Sequence, residues 1–166
     1  MITRRLMVAG AACGLVACAK PRDPKFKTYD GPKITQINVF KEQRVMQLLS
    51  GDELVKSYDI EMGFAPKGHK QVSGDGRTPE GGYRINRRNP NSKFHLSLGI
   101  SYPNARDVAN ARALGQSPGG DIFIHGTPKE YIDEPDWTWG CIAVSDAEME
   151  DIYAMVGTGT AIFIVP

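Results

Sequence analysis

From residue 34 onward the chain is cut into short apolar runs, each closed by glycine, proline or a cluster of Asp, Asn and Ser. That punctuation excludes a helical bundle and favours strands. Runs at 34–40, 44–49 and 54–61 are separated by Lys-Glu-Gln and by Ser50-Gly51-Asp52-Glu53, turns short enough to make antiparallel hairpins. Further strands are expected at Tyr83-Arg84-Ile85, at 94–98, at 121–125, at 142–144 and at 161–165. In the 94–98 run, alternation puts Phe94, Leu96 and Leu98 on one face and His95 and Ser97 on the other. Only two segments read as helix. One is an alanine-rich stretch at 107–114 stopped by Gly115. The other follows Ser145 and Glu148, a capping box, with Met149, Ile152, Tyr153 and Val156 at helical spacing and Gly157 as its stop. The expected fold is mainly β, a sandwich or partly closed barrel with two short helices. The glycine-rich loop at 63–82 lacks the Gly-Lys-Ser/Thr ending and the following helix of a phosphate-binding loop.

Composition narrows the function. Hydrophobic residues make up 41% of the 166, charged residues 23%, and the formal net charge is +1. A balance so close to neutral gives no reason to expect nucleic acid as a partner. At the N-terminus, Arg4 and Arg5 precede an apolar run from Leu6 to Ala17, too short to span a bilayer and patterned as a secretory signal. Leu15-Val16-Ala17-Cys18 resembles a bacterial lipobox. Residues 1–18 are therefore expected to be a lipoprotein-type signal peptide with Cys18 as the lipidation site and membrane anchor; the alternative is an ordinary signal cut nearby. Residues 19–33, rich in Pro, Lys and Asp, read as a flexible tether. Residues 34–166 form the domain, and the expected location is the periplasm.

This accounts for two of the three cysteines. Cys13 would leave with the signal, Cys18 would be acylated, and Cys141 is left as a free thiol in an oxidising compartment. Ile124-His125-Gly126 ends one apolar run and Thr138-Trp139-Gly140-Cys141 opens the next. Two strand ends thus bring an imidazole and a thiol close together, the pairing that generates a sulfur nucleophile near neutral pH.

With these motifs the chain resembles the L,D-transpeptidase catalytic domain (YkuD) family, cysteine enzymes of bacterial peptidoglycan. The resemblance runs through the opening meander, Thr78-Pro79-Glu80-Gly81-Gly82-Tyr83-Arg84-Ile85, Ile124-His125-Gly126 and Thr138-Trp139-Gly140-Cys141. It implies Cys141 as nucleophile and His125 as its base, with the turn through Gly140 shaping the oxyanion site. It also implies peptidoglycan stem peptides as substrate, cleaved between diaminopimelate and D-alanine, and no cofactor. In two places the chain departs from the family pattern: Trp139 stands where a histidine is usual, and Ala143 where an arginine is. Gly-Cys-Ile-Ala-Val-Ser-Asp, Phe-His-Leu-Ser-Leu and Tyr102-Pro103-Asn104 resemble a branch that includes an amidase detaching a lipoprotein from peptidoglycan. An outer-membrane lipoprotein or other protein linked to peptidoglycan is therefore a candidate partner. Transfer to an amine, hydrolysis by water, and an inactive peptidoglycan-binding lipoprotein are the three outcomes to separate.

Candidate substrate contacts are His95, Gly126, Thr138, Trp139 and Arg84. His95 either lines the cleft or is hydrogen-bonded at the sheet surface. His69 is expected to be solvated. Arg77, Arg84, Arg87, Arg88 and Lys93 either meet substrate carboxylates or form a solvated face. Trp137, Trp139 and Tyr131 either wall a ligand or pack. No ligand pair has metal-site spacing, and no metal is expected.

Overall fold

The computed structural model describes residues 25–166. The expected leader with Cys18 lies outside the described residues. The opening meander forms as the turn chemistry requires: β1 (Gln36–Phe40), β2 (Val45–Ser50) and β3 (Glu53–Asp59) pair antiparallel in sequence. There follow β4 (Gly81–Asn89), β5 (Ser97–Ile100), helix α1 (Ala105–Ala113), β6 (Phe123–His125), a 3-10 turn (Lys129–Tyr131), β7 (Ile142–Ala143), helix α2 (Asp146–Met155) and β8 (Ala161–Val165).

The strands form one curled eight-stranded sheet, a half-barrel, in the order β3-β2-β1-β8-β4-β5-β6-β7. This is the expected mainly β, partly closed barrel, and β4 joins its two halves. Residues Gly81 to Arg84 pair with β8, whereas Ile85 to Asn89 pair with β5. The register shift between Ile85 and Arg87 bends the strand at the handover, so one long strand serves both halves. The last strand returns to lie parallel beside the first, Ile37 opposite Ile162 and Val39 opposite Ile164, all four buried.

The core is filled by branched aliphatics from the strands (Leu48, Ile85, Leu98, Ile124, Ile142) and by Met149 and Ile152 of α2, which packs against β5 and β6. Ser145 and Glu148 make the expected capping box, and α2 stops at Val156. Helix α1 starts two residues earlier than expected, because Asn104 and Asp107 make a second capping box. Phe26 and Lys27 fall in the stretch expected to be a tether, yet they lie against the domain. The Phe26 ring sits 6.3 Å from Tyr153, and Lys27 Nζ lies 2.8 Å from Asp151.

The strand expected at 94–98 begins only at Ser97. His95 has φ +66°, outside any strand conformation. β5 is buried along its whole length, so alternation cannot mark a solvent face there. The loop between β3 and β4 is ordered by one ion pair to the β1–β2 turn and one within itself. Buried Lys41 reaches Glu80 at 2.7 Å and the Gly68 carbonyl at 2.6 Å, and Lys70 reaches Asp75 at 2.8 Å. His69 is not merely solvated: its Nδ1 accepts the Glu80 N–H at 2.9 Å, and its Nε2 lies 3.3 Å from the buried carboxylate of Asp107.

This loop packs directly under the Cys141 turn. A Cβ on Gly63 would collide with the Gly76 carbonyl and come within 2.8 Å of the Gly140 nitrogen, all backbone atoms that cannot swing aside. Gly63→Ala should therefore destabilise the fold by about 1–3 kcal/mol, measured by urea unfolding, because a methyl forced into a filled site must displace main chain.

Candidate active site

The site is built where β6 and β7 end side by side. Their parallel register pairs Ile124 with Ile142 and His125 with Ala143. Cys141, one residue before β7, therefore falls level with Phe123. Side chains alternate along a strand, so Phe123, His125 and Cys141 share one face. On the other side of β6, Ser97 of β5 is paired with His125. Ser97, Phe123, His125 and Cys141 line a common cleft of about 300 Å³, whose rim carries Asn89, Ser92, Lys93, Phe94 and Asp121.

His125 is 2% exposed. Its Nδ1 lies 2.7 Å from the Gly126 carbonyl. A carbonyl only accepts, so Nδ1 carries the proton and Nε2 is left as a base. The ring is also held by stacking on Phe94 (centroids 4.5 Å apart) and by the edge of Trp137 at 5.5 Å. The Phe94 carbonyl in turn accepts the Gly126 N–H at 3.1 Å, so one residue fixes both the ring and the group that orients it. Burial pushes the His125 pKa down to about 4, and the bond to Gly126 offsets only part of that. The imidazole is neutral at pH 7.

Cys141 is half-buried, its thiol 3.5 Å from the Asp121 carbonyl. Burial pushes the thiol above its ordinary value. The turn before it is braced by Thr138, whose hydroxyl donates to the Cys141 carbonyl at 2.7 Å and accepts the Gly140 N–H at 3.2 Å. Gly140 has φ +119°, and a Cβ there would stand 2.5 Å from the Arg77 carbonyl, so only glycine fits. Because the Gly140 N–H is already bonded, the donor available to a developing oxyanion is the Cys141 N–H. This arrangement can take up an acyl group: a sulfur, a neutral base and a backbone donor around one opening.

The expected substrate contacts fare less well. Cys141, His125 and Gly140 come together as expected, but four of the other residues serve the scaffold. Thr138 is 3% exposed and braces the turn. Gly126 lies under α2, where a Cβ would strike Asp146, and its part is to orient His125. The positive φ of His95 turns its side chain to α2, Nε2 lying 2.9 Å from Glu150, so it does not line the cleft. Arg84 donates to the Gly159 carbonyl at 3.0 Å, because its half of β4 faces β8 rather than β5. Trp139, 71% exposed, packs edge-on against Phe64 away from the cleft. Tyr131 stacks on Trp137 at 4.4 Å, and that pair backs the His125 ring. Phe94, Ser97 and Asp121 belong to the site without having been singled out. Alternation assigned Phe94 to the core, and cross-strand pairing, which joins Ser97 to His125, leaves no local mark. Among the described residues no three His, Cys, Asp or Glu side chains converge as a metal site.

The sequence matches a known catalytic domain. The sequence profile of the L,D-transpeptidase catalytic domain (YkuD) matches residues 34–164, and the chain belongs to that family. The curated Escherichia coli (strain K12) protein named "Putative L,D-transpeptidase YafK" is 30% identical over 162 residues, a match covering 92% of this chain and 60% of that protein. The chain thus spans three-fifths of that relative's length. Among solved structures, the helical cell shape determining protein Pgp2 of Campylobacter jejuni superposes with a TM-score of 0.64 at 23% identity, over 82% of this chain and 49% of that one. An L,D-transpeptidase of Mycobacterium smegmatis gives a TM-score of 0.55 at 13% identity, over 82% and 60%. At such identities these structures establish the fold alone.

The resting pair is neutral thiol and neutral imidazole. Alkylation of Cys141 by iodoacetamide should therefore follow a single titration above the ordinary cysteine range. A thiolate plateau between pH 5 and 7 would show an ion pair instead.

Proposed function

We propose that this domain is a cysteine L,D-transpeptidase acting on peptidoglycan tetrapeptide stems at the bond between diaminopimelate and D-alanine. The observation that carries the reading is the shared cleft of Cys141 and His125, with Nδ1 of the ring committed to Gly126 and Nε2 left as acceptor. In the first half-reaction the Cys141 sulfur attacks the carbonyl of the L-centre of diaminopimelate while its proton passes to His125 Nε2. The oxyanion meets the Cys141 N–H. Collapse breaks the C–N bond, His125 gives its proton to the departing amine of D-alanine, and a thioester remains. In the second, an acceptor amine attacks the thioester, yields its proton to His125 and restores the thiol.

A neutral resting pair suits this sequence. Charge separates only when the carbonyl is in place, so the thiol is not left as an exposed thiolate open to oxidation. Water is the competing acceptor, and it would make the same thioester end in hydrolysis. In this reading the leader carries the domain to the periplasm, where Cys18 anchors it by lipid.

Incubation with a carbapenem followed by intact mass measurement should give an adduct that Cys141→Ala abolishes, whereas His125→Ala should slow its formation about 10²–10⁴-fold, the usual contribution of a positioned base. With tetrapeptide stems and an added amine, the products should be D-alanine and an amide. Free acid as the sole product would move the assignment to hydrolysis, and no adduct would remove the nucleophile.

A further inference from the structure

Of the donor stem's carboxylates, the two flanking the scissile bond, one on the leaving D-alanine and one at the D-centre of diaminopimelate, are those the cleft must accommodate. Of the nine residues that line it, Lys93 is the only cation. Among the described residues its ammonium has no hydrogen bond or ion pair. The neighbouring cations are committed. Arg87 lies 2.7 Å from the Asp121 carboxylate and over the Phe123 ring, and Arg88 donates to the Tyr153 and Val156 carbonyls. Arg84 is held by Gly159, and Lys70 by Asp75. The one acidic side chain on the rim, Asp121, is the group that Arg87 neutralises.

The residues beside Lys93 point the same way. Asn89 Oδ1 accepts the Asn91 N–H at 3.0 Å, and Ser92 Oγ accepts the Phe94 N–H at 3.1 Å. With their oxygens occupied as acceptors, Asn89 keeps its amide N–H groups and Ser92 its O–H. One side of the rim therefore offers donors and a free positive charge, which is the complement of a carboxylate. Ala143 cannot supply this, since it is fully buried and is bonded through its backbone to Glu61.

Building on the proposed donor substrate, we propose that Lys93, assisted by Asn89 and Ser92, is the specificity-determining cation that binds a carboxylate of the donor stem. The loop between β4 and β5 thus selects an acidic peptide end, and Phe94, the next residue, stacks on His125. Substrate recognition and base positioning lie on adjacent residues of one loop.

Binding in the inert Cys141→Ala background tests this without turnover. Three peptides are titrated calorimetrically: the tetrapeptide stem, its C-terminal carboxamide, and an analogue with lysine in place of diaminopimelate. Loss of the relevant carboxylate should weaken binding about tenfold, as expected for a charge-assisted hydrogen bond. Whichever analogue shows the loss identifies the carboxylate. With Lys93→Gln added, that analogue and the parent stem should bind alike, and Lys93→Arg should restore the discrimination. Full discrimination surviving Lys93→Gln, or lost only in Arg77→Gln, would overturn the assignment to Lys93 while leaving the donor substrate intact. Failure of every stem peptide to bind would overturn the donor substrate itself, and this inference with it.

Discussion

Everything at this site depends on the parallel pairing of two very short strands. β6 is three residues long and β7 is two, yet their register decides that Cys141 and His125 open into the same cleft. A slip of one residue would send one of them to the opposite face, because side chains alternate along a strand. Strands this short cannot hold a register alone. It is held from outside: Glu61 pairs with Ala143 on one side, β5 pairs with β6 on the other, and α2 covers both β5 and β6. Phe94 adds a second restraint, stacking on the ring while its carbonyl anchors Gly126.

The electrostatics follow from the same burial. A ring that is 2% exposed, with one nitrogen committed to a carbonyl, loses more by desolvation than it gains by hydrogen bonding, so it stays neutral. The thiol beside it is also disfavoured as an anion. The pair is poised to exchange a proton only when an acyl carbonyl and its oxyanion donor are present. Close backbone contact completes the arrangement. Gly63, Gly76, Gly140 and the Arg77 carbonyl meet without side chains between them, so the long loop after β3 forms the floor beneath the cysteine turn.

Much of this was legible in the residues. Turn chemistry marked the opening hairpins, a capping box marked α2, and separated motifs in order marked Cys141 and His125. What failed was assignment by local pattern. His95 sat in an alternating run, but its left-handed backbone turns it to Glu150. Arg84 sat in a motif, but its half of β4 pairs with β8. Asn104 caps α1, which starts two residues ahead of the alanine-rich pattern, because its capping partner Asp107 lies inside the helix and not at its start. In each case the deciding neighbour is remote in sequence or depends on a dihedral angle that no periodicity reveals.

The sequence by itself determined the mainly β character, the family and the thiol and imidazole at its centre. These rest on side-chain chemistry and on turns that a few adjacent residues specify. Only the tertiary structure decided that β4 joins the two halves into one curled sheet, that the histidine is neutral, and that Lys93 rather than Arg84 or His95 faces the cleft. The physical reason is common to all three. Strand order, burial and the pairing of charges arise between segments tens of residues apart, and they exist only once the chain has closed its first strand against its last.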